Sequence, residues 1–271
     1  MPNVLWSLFH DNPRLVKALP ALAATALRTR ARVKAGAEVG VLTILHTFNG
    51  KLEFNSHVHT IVTAGGLRGD SWVENIYYGR NPLMEIWRKG VIRLLRAALE
   101  TGRLQTELVQ DEVQTLLAEQ EKRWWSLKIQ TLSSTKHFLE YAGRYVRRPP
   151  IAGYRITYIE NGIVRFWYKD KRERRRVDIT CSQEEFVDRW AQHILERYRH
   201  SVRNFGLFAP RAVGQTSAAI LNLLGQKKKT RPKPRPWAQA VKQDFGHDPL
   251  VDSKGQRMRL VRLLPPVLKR T

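Results

Sequence analysis

The chain has 271 residues, 42% hydrophobic and 26% charged, a globular composition long enough for one domain or two small ones. Its 47 Lys+Arg against 24 Asp+Glu leave a net charge of +23, which predicts a polyanionic partner, either nucleic acid or an anionic membrane face. The single cysteine, Cys181, excludes an internal disulfide framework and any zinc site that needs several thiolates, and no apolar run is long enough for a membrane span.

Met1 to Arg14 includes Asn3, His10 and Asp11 and lacks a basic start followed by an apolar run, so no signal peptide is expected and the expected location is cytoplasmic. From Pro13 to Lys34, Leu15, Leu19, Leu22, Ala23 and Leu27 recur at helical spacing. Val39 to Phe48 reads as a strand, Asn49-Gly50 as a two-residue hairpin turn and Leu52 to Thr63 as the returning strand. Pro82 opens a helix to Leu99, and a second helix is expected from Gln105 to Trp125. Leu127 to Thr131 reads as a short strand. Ser133-Ser134-Thr135 is suited to capping the helix that follows, which continues to Arg148 and stops at Pro149-Pro150. Tyr154 to Ile159 and Ile163 to Tyr168 alternate as strands around Asn161-Gly162, and a third strand is expected at Arg174 to Ile179. Helices follow at Glu184 to His200 and Pro210 to Leu224. The expected organisation is one domain over residues 1–225, a basic Pro-rich linker over 226–236 and a short tail over 237–271. The fold class is α+β, with a mainly antiparallel sheet and helices packed on it.

The sharpest local feature is His57-Val58-His59 within the strand Phe54 to Thr63. Residues i and i+2 of a strand point to one face, so two imidazoles stand side by side, spaced to share a metal ion. A chance His-x-His is the competing reading in a chain with eight histidines. A second feature is Tyr141 and Tyr145, four apart on one helix face, with Arg144, Arg147 and Arg148 on the same segment to hold phosphate oxygens. Core packing beside Phe138, Leu139 and Val146 competes with it. The two features answer one chemical need. A tyrosine hydroxyl with a pKa of about 10 is a poor nucleophile, and a divalent ion on the histidines can polarise a phosphodiester for it. Two such tyrosines allow a second strand to be attacked while the first stays covalently held.

Leu45-His46-Thr47-Phe48, then Ser56-His57-Val58-His59, Val62-Thr63 and Gly65-Gly66-Leu67 resemble the HUH (His–hydrophobic–His) endonucleases, and among them the two-tyrosine rolling-circle transposases of bacterial insertion sequences. Tyr141 to Tyr145 with Arg144 and Arg147 resembles the paired-tyrosine motif. Tyr168-Lys169-Asp170, Glu185-Phe186 and Arg203-Asn204-Phe205-Gly206-Leu207 match the later part, so the resemblance runs from about Leu5 to Arg211. It implies an HUH/Rep-like fold, single-stranded DNA cleavage, 5′-phosphotyrosine intermediates and strand transfer. It also implies a Mg²⁺ or Mn²⁺ cofactor, and as partner the single-stranded DNA at the ends of a mobile element. His46 matches the position of a third metal ligand, with Glu53 as its competitor because a carboxylate suits a hard cation better; Asn49, Asn55 and Glu140 are weaker alternatives.

Members of that family begin with a Cys-rich zinc-binding segment and a strand ahead of Leu5-Trp6-Ser7-Leu8-Phe9, and Asp252 to Met258 resembles a zinc knuckle without thiols. The expectation is a shortened member, lacking its first sheet strand and leaving an open edge near His57. The rival function is a catalytically degenerate DNA-binding remnant. An RNA-binding protein is less favoured because no aromatic RNP pattern is present, and a membrane-surface role has only Pro13 to Lys34 as a partial amphipathic candidate.

Overall fold

Gly40–Phe48 (β1) is the strand on which the first unit is built. In the computed structural model, which describes residues 1–146, 148–170, 173–195, 200–227 and 233–259, it is buried at eight of its nine positions. The burial follows from its place: β1 lies between two antiparallel neighbours, β2 (Phe54–Val62) and β8 (Val202–Gly206), in a three-stranded sheet ordered β2-β1-β8. Alternation splits its side chains between two faces. Val41 and Leu45 point into helices, and Ile44, His46 and Phe48 point the other way. β2, the His-x-His strand, is at the edge of this sheet.

The helical layer comprises α1 (Trp6–His10), α2 (Pro13–Val16), α3 (Leu19–Ala35), α4 (Arg80–Glu100) and α5 (Gln110–Lys122). Two apolar clusters join it to the sheet. One gathers Leu5, Leu8, Phe9, Leu19, Ile92, Leu95, Leu117 and Trp125 around Leu45. The other gathers Ala24, Leu27, Ala31 and Leu83 around Val39 and Val41. A small hairpin, β3 (Gly66–Arg68) and β4 (Ser71–Val73), follows β2.

The continuous helix expected from Pro13 to Lys34 is two helices. Pro20, in the first turn of α3, has no N–H to give the carbonyl of Val16, so the helical ladder cannot run through. The strand expected at Leu127 to Thr131 is not formed; Leu127 instead packs against both apolar clusters. The helix expected to reach Trp125 ends at Lys122, where the buried Trp125 indole N–H donates to the carbonyl of Gln120 at 3.1 Å.

After α6 (Thr135–Val146), residues 156–182 form a second antiparallel sheet, β5 (Ile156–Glu160), β6 (Ile163–Lys169) and β7 (Arg176–Ser182), with α7 (Gln183–Ala191) behind it. Asn161 and Gly162 have φ of 51° and 76°, the two positive values that a tight two-residue hairpin turn requires. Asn49-Gly50 does not make such a turn, and the loop between β1 and β2 spans residues 49–53. Asn49 Oδ1 accepts from the backbone N–H of Lys51 (2.8 Å) and Glu53 (3.1 Å), which curls the loop. Leu52, at φ 61°, is thereby thrown into the core of the second sheet with Ile151, Val164, Phe166 and Cys181. Burying one leucine outweighs the strain of its backbone.

The helix expected from Glu184 to His200 ends at Ala191; beyond it His193 turns inward, its ring within hydrogen-bond reach of Thr47 Oγ1 and of the carbonyl of Leu52, both at 3.2 Å. α8 (Pro210–Leu223) closes the first unit, residues 1–226. The second unit, residues 227–271, holds α9 (Trp237–Phe245), ended by Gly246 at φ 75°. It also holds a turn in which Asp252 Oδ1 accepts from the N–H groups of Lys254 and Gln256. No described helix is long and apolar enough to cross a membrane.

Candidate active site

The β1–β2 register sets the geometry. His46 is the direct cross-strand partner of His57, and His59 stands two residues further on the same face of β2. The three rings form a near-equilateral group, with centroid separations of 5.5 Å (His46–His57), 4.9 Å (His46–His59) and 5.0 Å (His57–His59). One nitrogen from each lies within 4.8 Å of the others, a set that could hold a metal ion.

The hydrogen bonds orient these rings. A carbonyl can only accept, so His46 Nε2 carries the proton and donates to the backbone oxygen of Tyr145 at 2.9 Å. That leaves the lone pair on Nδ1, a buried atom with no hydrogen-bond partner among the described residues. His57 Nδ1 likewise donates to the carbonyl of Asn55 at 2.8 Å, which directs its lone pair to Nε2. Burial first, then the nearby His57 and Arg148, push the His46 pKa down to about 4, so the ring is neutral at pH 7, as a ligand must be. The donor set therefore fits a divalent cation. Glu53 does not join it: its carboxylate accepts from Asn49 Nδ2 at 2.8 Å in the loop.

Helix α6 brings the tyrosines. Ser134 Oγ accepts from the backbone N–H of His137 at 3.2 Å near its start, consistent with the hydroxyl cluster in the sequence. Tyr141 and Tyr145 sit one turn apart with ring centroids at 4.7 Å. Tyr141 Oη lies 3.5 Å from His59 Nδ1, and the Tyr145 ring stacks on His59 at 3.9 Å between centroids. Burial, then Tyr145, raises the Tyr141 pKa above its usual value. Arg144 and Arg148 are exposed beside these rings, and Arg147 lies outside the described residues. The structure thus brings His46, His57, His59, Tyr141 and Tyr145 together, and leaves Glu53 and the exposed Glu140 outside.

Three contributors to the site were not expected from the local spacing of the sequence. The Tyr145 carbonyl that bonds His46 is a backbone atom. His193 is a lone histidine past a helix end, whose contacts run to the strand and loop carrying the site. β8 lacks clean alternation, yet it supports β1 from the side opposite β2, with Thr43 Oγ1 donating to the carbonyl of Arg203 at 3.2 Å.

A family model described as "Putative transposase" (Y2_Tnp) matches residues 40–216, from β1 into α8. The chain is 32% identical over 244 residues to the transposase for insertion sequence element IS801 of Pseudomonas savastanoi pv. phaseolicola, covering 87% of this chain and 58% of that protein. It is 30% identical over 242 residues to "Putative transposase y4qJ" of Sinorhizobium fredii (strain NBRC 101917 / NGR234), covering 83% of this chain and 61% of that protein. The chain thus spans about three fifths of the length of these curated relatives. No solved structure matches it. With all five gathered site residues inside the matched span, the chain belongs to the Y2 transposase family.

Proposed function

We propose that this chain is a DNA transposase with an HUH/Rep-like fold that cuts and rejoins single-stranded DNA at the ends of a mobile element by tyrosine attack. The observation that carries the reading is the convergence of two phenols on three histidines, with Tyr141 Oη 3.5 Å from His59 and Tyr145 stacked on the same ring. Core tyrosines have no reason to meet a cluster of three imidazoles. A nucleophile facing a polarised phosphodiester does.

Each residue then has a task. The Tyr141 hydroxyl attacks phosphorus, the bond to the 3′ oxygen breaks, and the 5′ phosphate remains on the tyrosine. Because burial raises its pKa, Tyr141 must lose its proton as the new bond forms, and that proton passes through solvent to the departing 3′ oxygen, while the 3.5 Å contact with His59 Nδ1 orients the phenol. Tyr145 is positioned for the second strand. Arg144, Arg147 and Arg148 supply the cations for non-bridging oxygens. His46, His57 and His59 would hold Mg²⁺ or Mn²⁺, which supplies charge stabilisation at the phosphoryl group and the departing oxygen.

The test is incubation of the chain with labelled single-stranded oligonucleotides and Mn²⁺ or Mg²⁺, followed by denaturing electrophoresis. A metal-dependent covalent adduct is expected. Retained binding without an adduct would instead make the chain a DNA-binding remnant.

A further inference from the structure

The second sheet offers a feature that the histidine–tyrosine site does not use. Its inner face is ordinary core: Val164, Phe166 and Cys181 are buried with Leu52. Its outer face carries rings interleaved with guanidinium groups. On β6, Arg165 and Trp167 share this face, and Tyr158 of β5 is the cross-strand partner of Arg165. The Arg165 guanidinium lies 6.0 Å from the centre of the Tyr158 ring, and that of Arg176 lies 5.1 Å over Trp167. Tyr154, 75% exposed, leans on Trp167 at 5.9 Å between centroids. Between residues 163 and 182 the chain has seven Lys/Arg against three Asp/Glu.

The geometry points to this outer face as a stacking surface for single-stranded DNA, separate from the histidine–tyrosine site. Every base has a π-face, so the exposed Tyr154 and Tyr158 rings and the half-buried Trp167 accept bases whatever their identity, while Arg165, Lys169 and Arg176 answer the phosphates. An apolar protein partner fits poorly, because the rings are separated by cations that such a partner would have to desolvate. A rigid duplex fits poorly as well, since its bases are not available to stack. The place of the sheet also suits the role. It is fastened to the loop between β1 and β2 by Leu52 and by hydrogen bonds from Arg155 to the carbonyls of Gly50 and Trp167. Gly50 is four residues beyond His46 in the chain, in the loop that follows the site strand. A strand emerging from the histidine–tyrosine site therefore has a second surface to run onto. The assignment of the ligand as DNA rests on the proposed function.

The test uses the full chain carrying Tyr141→Phe and Tyr145→Phe, so that binding is read without covalent capture. Fluorescence anisotropy with an oligothymidylate long enough to reach the sheet is compared among this protein and versions with Tyr158→Leu plus Arg165→Gln, or with Trp167→Leu. About tenfold weaker binding is expected for each change, with duplex binding much less affected. An equal loss on duplex, or no loss on the single strand, would overturn the stacking assignment. Unmutated chain photocrosslinked to bromodeoxyuridine oligonucleotides removes any dependence on how the variants fold. Crosslinks mapping to peptides with Tyr154, Tyr158 or Trp167 support the surface, and crosslinks confined to other peptides overturn it. The adduct assay separates this proposal from the catalytic one: adducts with an unchanged crosslink map elsewhere refute only the surface, and crosslinks at the sheet without adducts refute only the nicking reading.

Discussion

Tyr145 contributes twice to the site, its ring against His59 and its carbonyl to His46. A Phe in its place keeps both and deletes only the hydroxyl, and Tyr141→Phe does the same next to His59. The double variant should therefore abolish the covalent adduct while leaving Mn²⁺ affinity, read by calorimetry, and DNA affinity within about twofold, since affinity depends mainly on charge. Replacing His46 acts on the other function. His46→Ala removes the buried Nδ1 lone pair and should weaken Mn²⁺ binding at least about tenfold in the same calorimetric titration. His46 also predicts a pH response. Its folded pKa of about 4 lies below the unfolded value of about 6.5, so between these limits the unfolded chain binds a proton that the folded chain does not. Its contribution to stability is complete above about pH 6.5 and is lost as the pH falls toward 4. His193, depressed by burial as well, acts in the same direction. Urea midpoints measured across that window should fall with pH in the metal-free chain, and more steeply than in His46→Gln.

At the scale of the element, the β1–β2 hairpin joins the site to the second sheet. Its strands hold the three histidines, and its loop inserts Leu52 into the other core. Leu52→Ala should cost about 2–5 kcal/mol in chemical denaturation, because the void opens where two sheets meet and neither can collapse into it without shifting the other. The end of β8 is the second sensitive point. Gly206 has φ 58°, and a Cβ there would stand 2.0 Å from the backbone oxygen of Val39. That carbonyl, just ahead of β1, already accepts from the N–H of Leu207 at 3.1 Å and has nowhere to go. Gly206→Ala should lower the thermal midpoint clearly, through left-handed strain of about 1–2 kcal/mol plus lost β1–β8 pairing. Gly153→Ala, where nothing stands within 4 Å of the added methyl, is the matched control.

At the scale of the whole molecule, the net charge of +23 acts through the counterion atmosphere of the DNA. If about six phosphates are neutralised, the slope of log K against log salt on single strands is about −4. A titration by anisotropy over a range of salt concentrations measures it, and a flat response would mean that the charge serves another purpose. Neutralising Arg165 and Arg176 together should make the slope shallower by about one to two, because each lost phosphate contact removes about 0.7 from it.

Charge, strand pairs and the candidate histidines and tyrosines were legible in the sequence because each rests on local spacing. Positions i and i+2 of a strand share a face, i and i+4 of a helix share another, and Asn161-Gly162 tolerates the two positive φ values of a tight turn. The fold class was legible for the same reason, since four of the five antiparallel pairs among the described strands are hairpins of neighbouring segments. The break before Pro20 was locally encoded too, though it sits inside an unbroken apolar period. Tertiary structure alone decided the rest. His46 rather than Glu53 joins the histidines because the β1–β2 register sets His46 opposite His57, while Asn49 draws Glu53 into the loop. Asn49-Gly50 opens into a longer loop because Leu52 finds a core made by residues about a hundred or more positions later. β8 pairs with β1 across a similar separation, and its half-polar sequence becomes a strand because β1 has an edge to satisfy. Local spacing fixes which side chains share a face, but only the long-range pairing of backbone edges and the burial of distant apolar groups decide which faces meet.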